Sequence, residues 1–429
     1  NQAVHQDLSD TSFSFIGDTH GTANANYVSY LFAHETGSDS MIHCGSFDNT
    51  SNVTVDCGFE PQWVLVKGTD TASNWFIFDA MRQKGDDGIT LIPNLSNAEG
   101  SQGTSDGGSF FFKSNGFFLN DYVLGDNIDS GIYVAIRRPN MATITDATKV
   151  FAVAAGTSAT PSFISGFPVD FAFLQDTDDS YPRFAWDRVI GSRLELNDKD
   201  AQATGSDAFP LDHNNGTGND GWNNTLHAYM WKRAKGYFDV VAYTGTGSAR
   251  TVAHGLGVAP EMVWVKGRDL DSQDWAVYHS ATGTSKIIKL NEAEAVIGIG
   301  RITGTSDTTF TLDSDDIVNE SGEPYIAYLF ATLAGVSKLG SVTHSGSSTD
   351  VDCGFSAGAR FVLLKRTDAS GDWYVWDSVR GIIAGNDPYF VINTEAVHVT
   401  NTDFIDPLAS GFTITGDFTD GDYLFYAIA

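Results

Sequence analysis

The sequence predicts an all-β protein: a tandem array of four β-sandwich modules of the jelly-roll type, preceded by a short N-terminal β segment. Three observations predict this fold. The 429 residues include 44 glycines and 12% aromatic residues but only 18% charged residues, which favours strands and turns over helices. Apolar runs such as Trp75–Phe78 alternate inward and outward, the period of a strand. Finally, one pair of strand motifs recurs four times.

The recurring pair consists of an apolar strand that ends in a polar residue and a second, aromatic strand that ends in a carboxylate or imidazole. The first set of equivalent positions is Lys67, Gln175, Lys266 and Lys365, and the second set is Asp79, Asp187, His279 and Asp377. Successive members are 108, 91 and 99 residues apart in the first set and 108, 92 and 98 in the second. The segment between the two positions therefore has a nearly constant length, and loops absorb the variation.

Each repeat ends on an aromatic strand, which places the module boundaries. The predicted modules span residues 36–138, 139–234, 235–334 and 335–429. A further copy of the closing strand, Tyr27–Phe32, indicates that residues 1–35 are the end of a preceding module or a linker segment. The joins between modules are short, which favours a rod or a compact packed array. Two joins carry basic residues, Arg138 and Arg233 among them, and these are candidates for salt bridges between modules.

Charge and cysteine content exclude several classes of function. A formal net charge of -29 repels phosphate backbones and anionic lipids, so neither nucleic acid nor a membrane surface is an expected partner. No apolar run is long enough for membrane insertion by a helix. Cys44, Cys57 and Cys353 form no disulfide framework. Free buried thiols are favoured, and a Cys44–Cys57 contact across a hairpin is the alternative.

The third module carries a family resemblance. Its turn Thr251–Gly257, its strand Pro260–Lys266 and its closing strand Tyr325–Ala331 resemble a repeated β-rich domain of tailed-phage virion proteins, particularly those of marine bacteriophages and cyanophages. The resemblance implies a non-enzymatic structural protein on the virion surface, in a fibre, tail-associated or capsid-surface appendage that presents host-contacting loops. It also implies other virion proteins and a host receptor or glycan as partners, and a homo-oligomer that is a trimer if the appendage is a fibre.

The recurring carboxylates raise the alternative of a polysaccharide-degrading tailspike enzyme. Paired carboxylates cleave glycosides when they lie about 5–10 Å apart. A catalytic pair is needed only once, however, whereas Asp79, Asp187 and Asp377 recur, and the third module has His279 instead. A structural role as a turn acceptor or as the partner of a nearby arginine accounts better for the recurrence. The sequence therefore predicts no catalytic residue.

The lysine and tryptophan positions have structural interpretations as well. Lys67, Lys266 and Lys365 each precede an aspartate by three residues, which predicts a local ion pair near the surface. The equivalent tryptophans could stack on sugars, but they lie in alternating strands beside other aromatic residues, so core packing is favoured. These tryptophans are Trp75, Trp275 and Trp373.

One loop is a candidate for glycan contact, and two others are candidates for calcium. Trp222 follows Asn219 and Asp220 in a polar loop, and an exposed tryptophan among amides and carboxylates suits a sugar, as in a lectin-like adhesin. The acidic clusters Asp176–Asp179 and Asp313–Asp316 lack a known calcium pattern, so solvated loops are the default. No cofactor is predicted, and calcium stays an open alternative.

Overall fold

The computed structural model describes residues 40–48, 52–70, 72–82, 90–99, 110–120, 123, 130–138, 141–203, 209–219 and 222–429, together with a few positions before residue 35. It confirms the all-β, multi-module fold. The short strands β1 (His5–Gln6) and β2 (Ser14–Phe15) pair antiparallel near the N-terminus. The remaining strands fall into four groups that match the four repeats of the sequence.

Within their described residues, modules 1 and 2 contain seven strands each. Those of module 1 are β3 (Ile42–Asp48), β4 (Val53–Asp56), β5 (Pro61–Gly68), β6 (Trp75–Asp79), β7 (Phe110–Lys113), β8 (Gly116–Leu119) and β9 (Ser130–Arg137). Those of module 2, which follow a 3-10 turn at Ala147–Lys149, are β10 (Phe151–Ala155), β11 (Phe163–Ile164), β12 (Phe171–Asp176), β13 (Phe184–Asp187), β14 (Arg193–Glu195), β15 (Gly216–Thr217) and β16 (Leu226–Trp231).

Modules 3 and 4 contain eight strands each. Those of module 3, with the one-turn helix α1 (Asp316–Asn319), are β17 (Phe238–Thr244), β18 (Arg250–Ala253), β19 (Met262–Gly267), β20 (Ala276–His279), β21 (Ile288–Lys289), β22 (Ile302–Thr305), β23 (Thr309–Leu312) and β24 (Pro324–Phe330). Those of module 4 are β25 (Ser337–His344), β26 (Thr349–Asp352), β27 (Phe361–Arg366), β28 (Trp373–Asp377), β29 (Tyr389–Val391), β30 (Ile405–Leu408), β31 (Gly411–Ile414) and β32 (Gly421–Ile428).

All four modules share one topology. The large sheet of module 3 has the order β17-β24-β19-β20-β21, and modules 2 and 4 follow the same scheme. In module 1 the order is β3-β9-β5-β6, with an isolated bridge between Ile77 and Leu91 in place of the last strand. A smaller sheet, β18-β23-β22 in module 3, faces the large one. A glycine with positive φ lies in the turn before the third strand of each module, where a side chain would be strained. These glycines are Gly58, Gly166, Gly257 and Gly354.

Registers within the large sheets are also equivalent. Trp63 pairs with Asp79 in module 1, and Phe171 pairs with Asp187 in module 2. The corresponding pairs are Met262–His279 and Phe361–Asp377. A position in one module can therefore be mapped onto the others by strand pairing, without reference to loop length.

Two kinds of apolar core hold the molecule together. Each module has its own core between its large and small sheets. A further, larger core joins the outer faces of the large sheets of modules 2, 3 and 4. The third strand of each module shows whether its sheet is covered on one face or on both. All six residues of β12 and of β19 are buried, whereas buried and half-buried residues largely alternate along β5 of module 1. In modules 2–4 both faces of the large sheet are covered.

Candidate functional site

Equivalent side chains join modules 2, 3 and 4 in a closed cycle. Trp275 Nε1 of module 3 donates to the Glu195 carbonyl of module 2 at 2.8 Å. Trp373 Nε1 of module 4 donates to the Lys289 carbonyl of module 3 at 2.8 Å. Arg183 Nε of module 2 donates to the Val391 carbonyl of module 4 at 3.2 Å.

Strand pairing shows that these donors and acceptors are equivalent. Each module contributes one donor residue and one acceptor residue to the cycle. Within a module, the residue that follows the donor pairs across the sheet with the acceptor residue. These pairs are Phe184 with Glu195, Ala276 with Lys289, and Tyr374 with Val391. The contacts run from module 3 to 2, from 4 to 3 and from 2 to 4. Three modules of one chain are therefore related by a pseudo-threefold arrangement, with the large core at its centre.

A second cycle of contacts uses the recurring carboxylates. Tyr229 of module 2 donates to Asp377 of module 4 at 2.7 Å, and Tyr328 of module 3 donates to Asp187 of module 2 at 2.6 Å. The third equivalent pair is Tyr426 and His279. Among the described residues, Tyr426 Oη and His279 Nε2 make no hydrogen bond to each other. The Tyr426 hydroxyl interacts instead with Tyr237 and Trp231, and His279 with the backbone of Phe425. Two of the three equivalent tyrosine pairs are therefore hydrogen-bonded, and the third is not.

The same carboxylates organise the turns that follow their strands. Asp187 Oδ1 accepts from the backbone N–H groups of Val189 and Ile190, and Asp377 Oδ1 accepts from those of Val379 and Arg380. Asp79 makes the corresponding contacts in module 1, and His279 Nδ1 accepts from the N–H of Ala281 in module 3. These positions act as turn acceptors in all four modules.

The pKa values of two of these carboxylates shift in opposite directions. Burial raises the pKa of Asp187 above its ordinary value. It acts in the same direction on Asp377, but Arg380 and the hydroxyl of Tyr229 reverse the effect and hold the pKa of Asp377 below its ordinary value. The guanidinium Nε of Arg380 donates to Asp377 at 2.5 Å. Both carboxylates therefore have protein partners for each oxygen.

The lysines do not form the expected ion pairs with the aspartates that follow them. Lys266 and Lys365 are fully buried, and burial lowers the pKa of each to about 8. Lys266 Nζ donates to the carbonyls of Lys199 and Gln273, and Lys365 Nζ donates to the carbonyls of Glu292 and Gly371. Lys67 Nζ likewise binds carbonyls, those of Gly68 and Ser73. The lysines close their own turns, and in modules 3 and 4 they also reach the neighbouring module.

The three equivalent tryptophans do not pack in the sandwich cores as the sequence predicts. Trp275 and Trp373 are at most 2% exposed, but they lie in the core between modules and not in the core of a sandwich. Trp75 occupies the equivalent position and is 36% exposed. The expectation of core packing is therefore wrong for Trp75. The reason is that this side of the sheet is covered only where another module packs against it.

A buried ionic network joins modules 1, 2 and 3, which confirms the predicted salt bridges at the joins. Arg233 binds Glu60 of module 1 and Asp239 of module 3, both at 2.6 Å. Arg138 binds Glu60 at 3.3 Å and Asp170 at 3.0 Å. Despite burial, the arginines hold the pKa values of Glu60 and Asp170 below their ordinary values.

The predicted glycan-contact loop is packed more closely than expected. The Trp222 ring is half-buried, with ring centroids 6.0 Å from Phe163 and 5.3 Å from Phe209. Asn219 Oδ1 lies 3.4 Å from His213 Nε2. Asp220 lies outside the described residues. Trp222 thus closes one end of the module 2 core and does not project from the loop.

A cleft between modules 1 and 3 gathers groups that the sequence does not connect. Its volume is about 460 Å³, and its walls include Phe111, Phe118, Lys113, Arg268 and Tyr243. The two phenylalanine rings are stacked with centroids 5.7 Å apart, and the Arg268 guanidinium lies 4.9 Å from the Phe111 centroid. The lining also includes Ile190 and Gln202 of module 2. Sequence reasoning missed this site because its walls come from three modules that lie far apart in the chain.

The charge of the cleft contrasts with the acidity of the whole chain. Lys113 Nζ donates to the hydroxyls of Thr54 and Thr244 at 3.1 and 2.9 Å. Burial, followed by the charges of Arg268 and Arg250, lowers the pKa of Lys113 to about 8. Asp269 also lines the cleft. The cleft therefore combines a cationic centre with aromatic surfaces and neutral hydroxyl groups.

The remaining candidates have protein partners. Asp313 and Asp315 bind Arg301 at 3.2 and 2.6 Å, and Asp176 Oδ1 accepts from the N–H of Asp178. Within the described ranges, no three or more His, Cys, Asp or Glu side chains form a group that could hold a metal ion. The three cysteines are free thiols. No helix in the described part of the chain is long and apolar enough to cross a membrane.

The fold and these contacts define a class of protein: an all-β chain of four homologous sandwiches, three of which close into a ring. A family model described as a domain of unknown function (DUF7483) matches residues 1–138 and 152–429. The chain therefore belongs to this family. No curated protein matches the sequence.

Proposed function

We propose that the protein is a non-enzymatic structural component of a bacteriophage appendage, in a fibre, tail-associated or capsid-surface position, that presents loops to the host. One observation carries the proposal. The carboxylates and lysines at the recurring positions of the ring are used in turns and in contacts between modules, as Asp187 and Lys266 are. A catalytic group would be needed once, and its chemistry would not require repetition at equivalent positions.

The arrangement of the ring supports a mechanical role. Its large sheets are covered on both faces, and the contacts that join its modules bury aromatic and ionic groups together. A rigid centre of this kind leaves the loops at the periphery free to vary without loss of core packing. The resemblance of module 3 to virion domains of tailed phages supports the location.

Labelling of intact particles tests this proposal. Gold-conjugated antibodies raised against the purified chain are applied to intact particles of the phage that encodes it. We expect gold at discrete external positions in electron micrographs, and no gold on unrelated phage particles. Absence of the label from intact particles, or its appearance only after capsid disruption, would contradict the proposal. Release of reducing ends from host polysaccharide by the purified chain would favour the tailspike enzyme instead.

The cleft between modules 1 and 3 favours a second function, binding of an acidic glycan. The cleft volume lies in the range of small-molecule sites. Phe111 and Phe118 offer apolar surface for a sugar ring, while Lys113 offers positive charge for a carboxylate or sulfate. The buried Arg268, which donates to Gln202, adds to the positive charge behind the cleft wall. This combination suits an anionic sugar better than a neutral one.

A glycan comparison distinguishes the two functions. Sulfated or uronic-acid oligosaccharides and their neutral counterparts are titrated into the protein by calorimetry. The binding function predicts affinity for the acidic sugars that falls at least about tenfold in Lys113→Gln, with the neutral sugars unbound. A matched control is Lys338→Gln, because Lys338 lies in module 4, away from the cleft. Equal affinity of Lys113→Gln and the unsubstituted protein would contradict the binding function.

A further inference from the structure

The outer side of the large sheet in module 1 carries an apolar surface, which we call the module 1 face. Trp75 is 36% exposed and Ile132 is 43% exposed. The other members are half-buried side chains that point to the same side of strands β5, β6 and β9. They are Trp63, Leu65, Ile77, Val134 and Ile136. Exposed apolar surfaces of this kind mark interaction sites.

The same side of the sheet is buried in the other three modules. Strand pairing maps Trp63 onto Phe171, Met262 and Phe361, which are at most 2% exposed. It maps Ile136, which pairs with Trp63, onto Trp231, Phe330 and Ile428, all at most 1% exposed. Modules 2, 3 and 4 cover these positions by packing against one another. Module 1 therefore has a surface equivalent to the one by which modules 2, 3 and 4 pack together, but among the described residues no module covers it.

Module 1 also has the polar groups that join neighbouring modules in the ring. Trp75 occupies the position of Trp275 and Trp373, whose Nε1 atoms donate to a carbonyl of the next module. Lys67 occupies the position of Lys266, whose Nζ reaches the Lys199 carbonyl of the next module at 2.8 Å. Module 1 departs from the ring at one contact, because Val134 replaces the tyrosine and Asp79 binds Arg82 instead.

We propose that the module 1 face is a homotrimer interface, in which three copies of this chain bring their first modules together as modules 2, 3 and 4 meet within one chain. The ring contacts are head-to-tail and close after three modules. A head-to-tail contact between identical surfaces that closes after three members is a cyclic trimer. The antiparallel bridge between Ile77 and Leu91 places Ile92 opposite Phe76, so the carbonyl of Ile92 in the neighbouring copy corresponds to the acceptors of the ring and is the expected partner of Trp75 Nε1. The inference does not depend on the proposed function.

The first test measures the mass of the 429-residue chain by sedimentation velocity over a range of protein concentrations. We expect a trimer of three 46.2 kDa chains. Ile132→Asp places a charge in the module 1 face, in the same row of the sheet as Lys67 and Trp75, and should weaken trimer formation at least about a hundredfold. Ile299→Asp is the matched control, because Ile299 is 54% exposed in a loop of module 3, and it should leave the trimer intact.

Folding of the variants is checked by circular dichroism, and Trp75→Ala serves as a second interface variant in case Ile132→Asp fails to fold. Trp75→Ala should weaken the trimer while the monomer keeps its β spectrum. A monomer or a dimer of the unsubstituted chain at tens of micromolar would overturn the inference. So would a chain that becomes trimeric only after residues 1–33 are deleted, because that segment would then be the occupant of the face. A trimer that persists in both variants would overturn it as well.

Discussion

Tyr328 of module 3 donates a hydrogen bond of 2.6 Å to Asp187 of module 2, and both side chains are fully buried. The pair connects the last strand of one sandwich to the turn acceptor of another. Its equivalent in the next pair of modules, Tyr426 with His279, makes no such bond. The chain therefore contains both a bonded pair and a natural control for it.

Tyr328→Phe should destabilise the protein by about 1–3 kcal/mol, because it leaves one buried oxygen of Asp187 without its partner. Tyr426→Phe removes a hydroxyl that makes no bond to His279 and interacts only with the neutral groups of Tyr237 and Trp231, so it should lower the free energy of unfolding by less than Tyr328→Phe does. Urea unfolding of both variants checks the difference. Equal losses of stability would show that the cross-module bond contributes nothing.

Arg233→Met should destabilise the protein by about 3–5 kcal/mol, because it leaves the buried Asp239 without its guanidinium and leaves the half-buried Glu60 with Arg138 alone. The comparison is Arg366→Met, which breaks a solvent-screened pair with Asp368 and should cost less than about 1 kcal/mol. Thermal unfolding at neutral pH measures both. If Arg233→Met proved as mild as Arg366→Met, the network would not hold modules 1, 2 and 3 together.

His279 should make the folded state sensitive to acid. Burial lowers the pKa of His279 from its ordinary 6.5 to about 4, so between these pH values the unfolded chain binds more protons than the folded one. Stability should therefore fall as the pH drops from about 6.5 to about 4, by on the order of 3 kcal/mol.

The variant His279→Asn isolates this effect, because asparagine does not titrate and its amide oxygen can replace Nδ1 as the acceptor for the Ala281 N–H. The difference in unfolding free energy between the unsubstituted protein and the variant is measured from pH 7 to pH 4. We expect it to shift in favour of the variant as the pH falls. A difference that is independent of pH would contradict the assignment.

Trp222→Ala should reduce stability by about 1–3 kcal/mol, because the ring packs against Phe163 and Phe209. Binding of glycans on an array should not change. Trp222→Phe, which keeps an aromatic ring in place, should recover part of the lost stability. Loss of glycan binding in Trp222→Ala without any loss of stability would instead support the lectin-like role that the sequence suggested for this loop.

The lysine and tryptophan positions show where sequence reasoning succeeded and where it failed. Their equivalence followed from spacing alone, and the strand pairing of Lys67 with Trp75 recurs between Lys365 and Trp373. The predicted ion pairs of the lysines are wrong, because Lys266 binds carbonyls and not a neighbouring aspartate. A carbonyl supplied by another module leaves no mark in the local sequence, whereas an aspartate three residues away does.

The all-β class, the four copies and their turns follow from the amino-acid sequence, because alternation and spacing are local properties of the chain. The register of the strands and the face of each sheet that is covered were seen only once the modules were folded and packed. Trp75 and Trp373 stand in similar strands, yet one is 36% exposed and the other 2%. The difference arises because burial of the outer face depends on which modules meet, and that contact joins residues far apart in the chain.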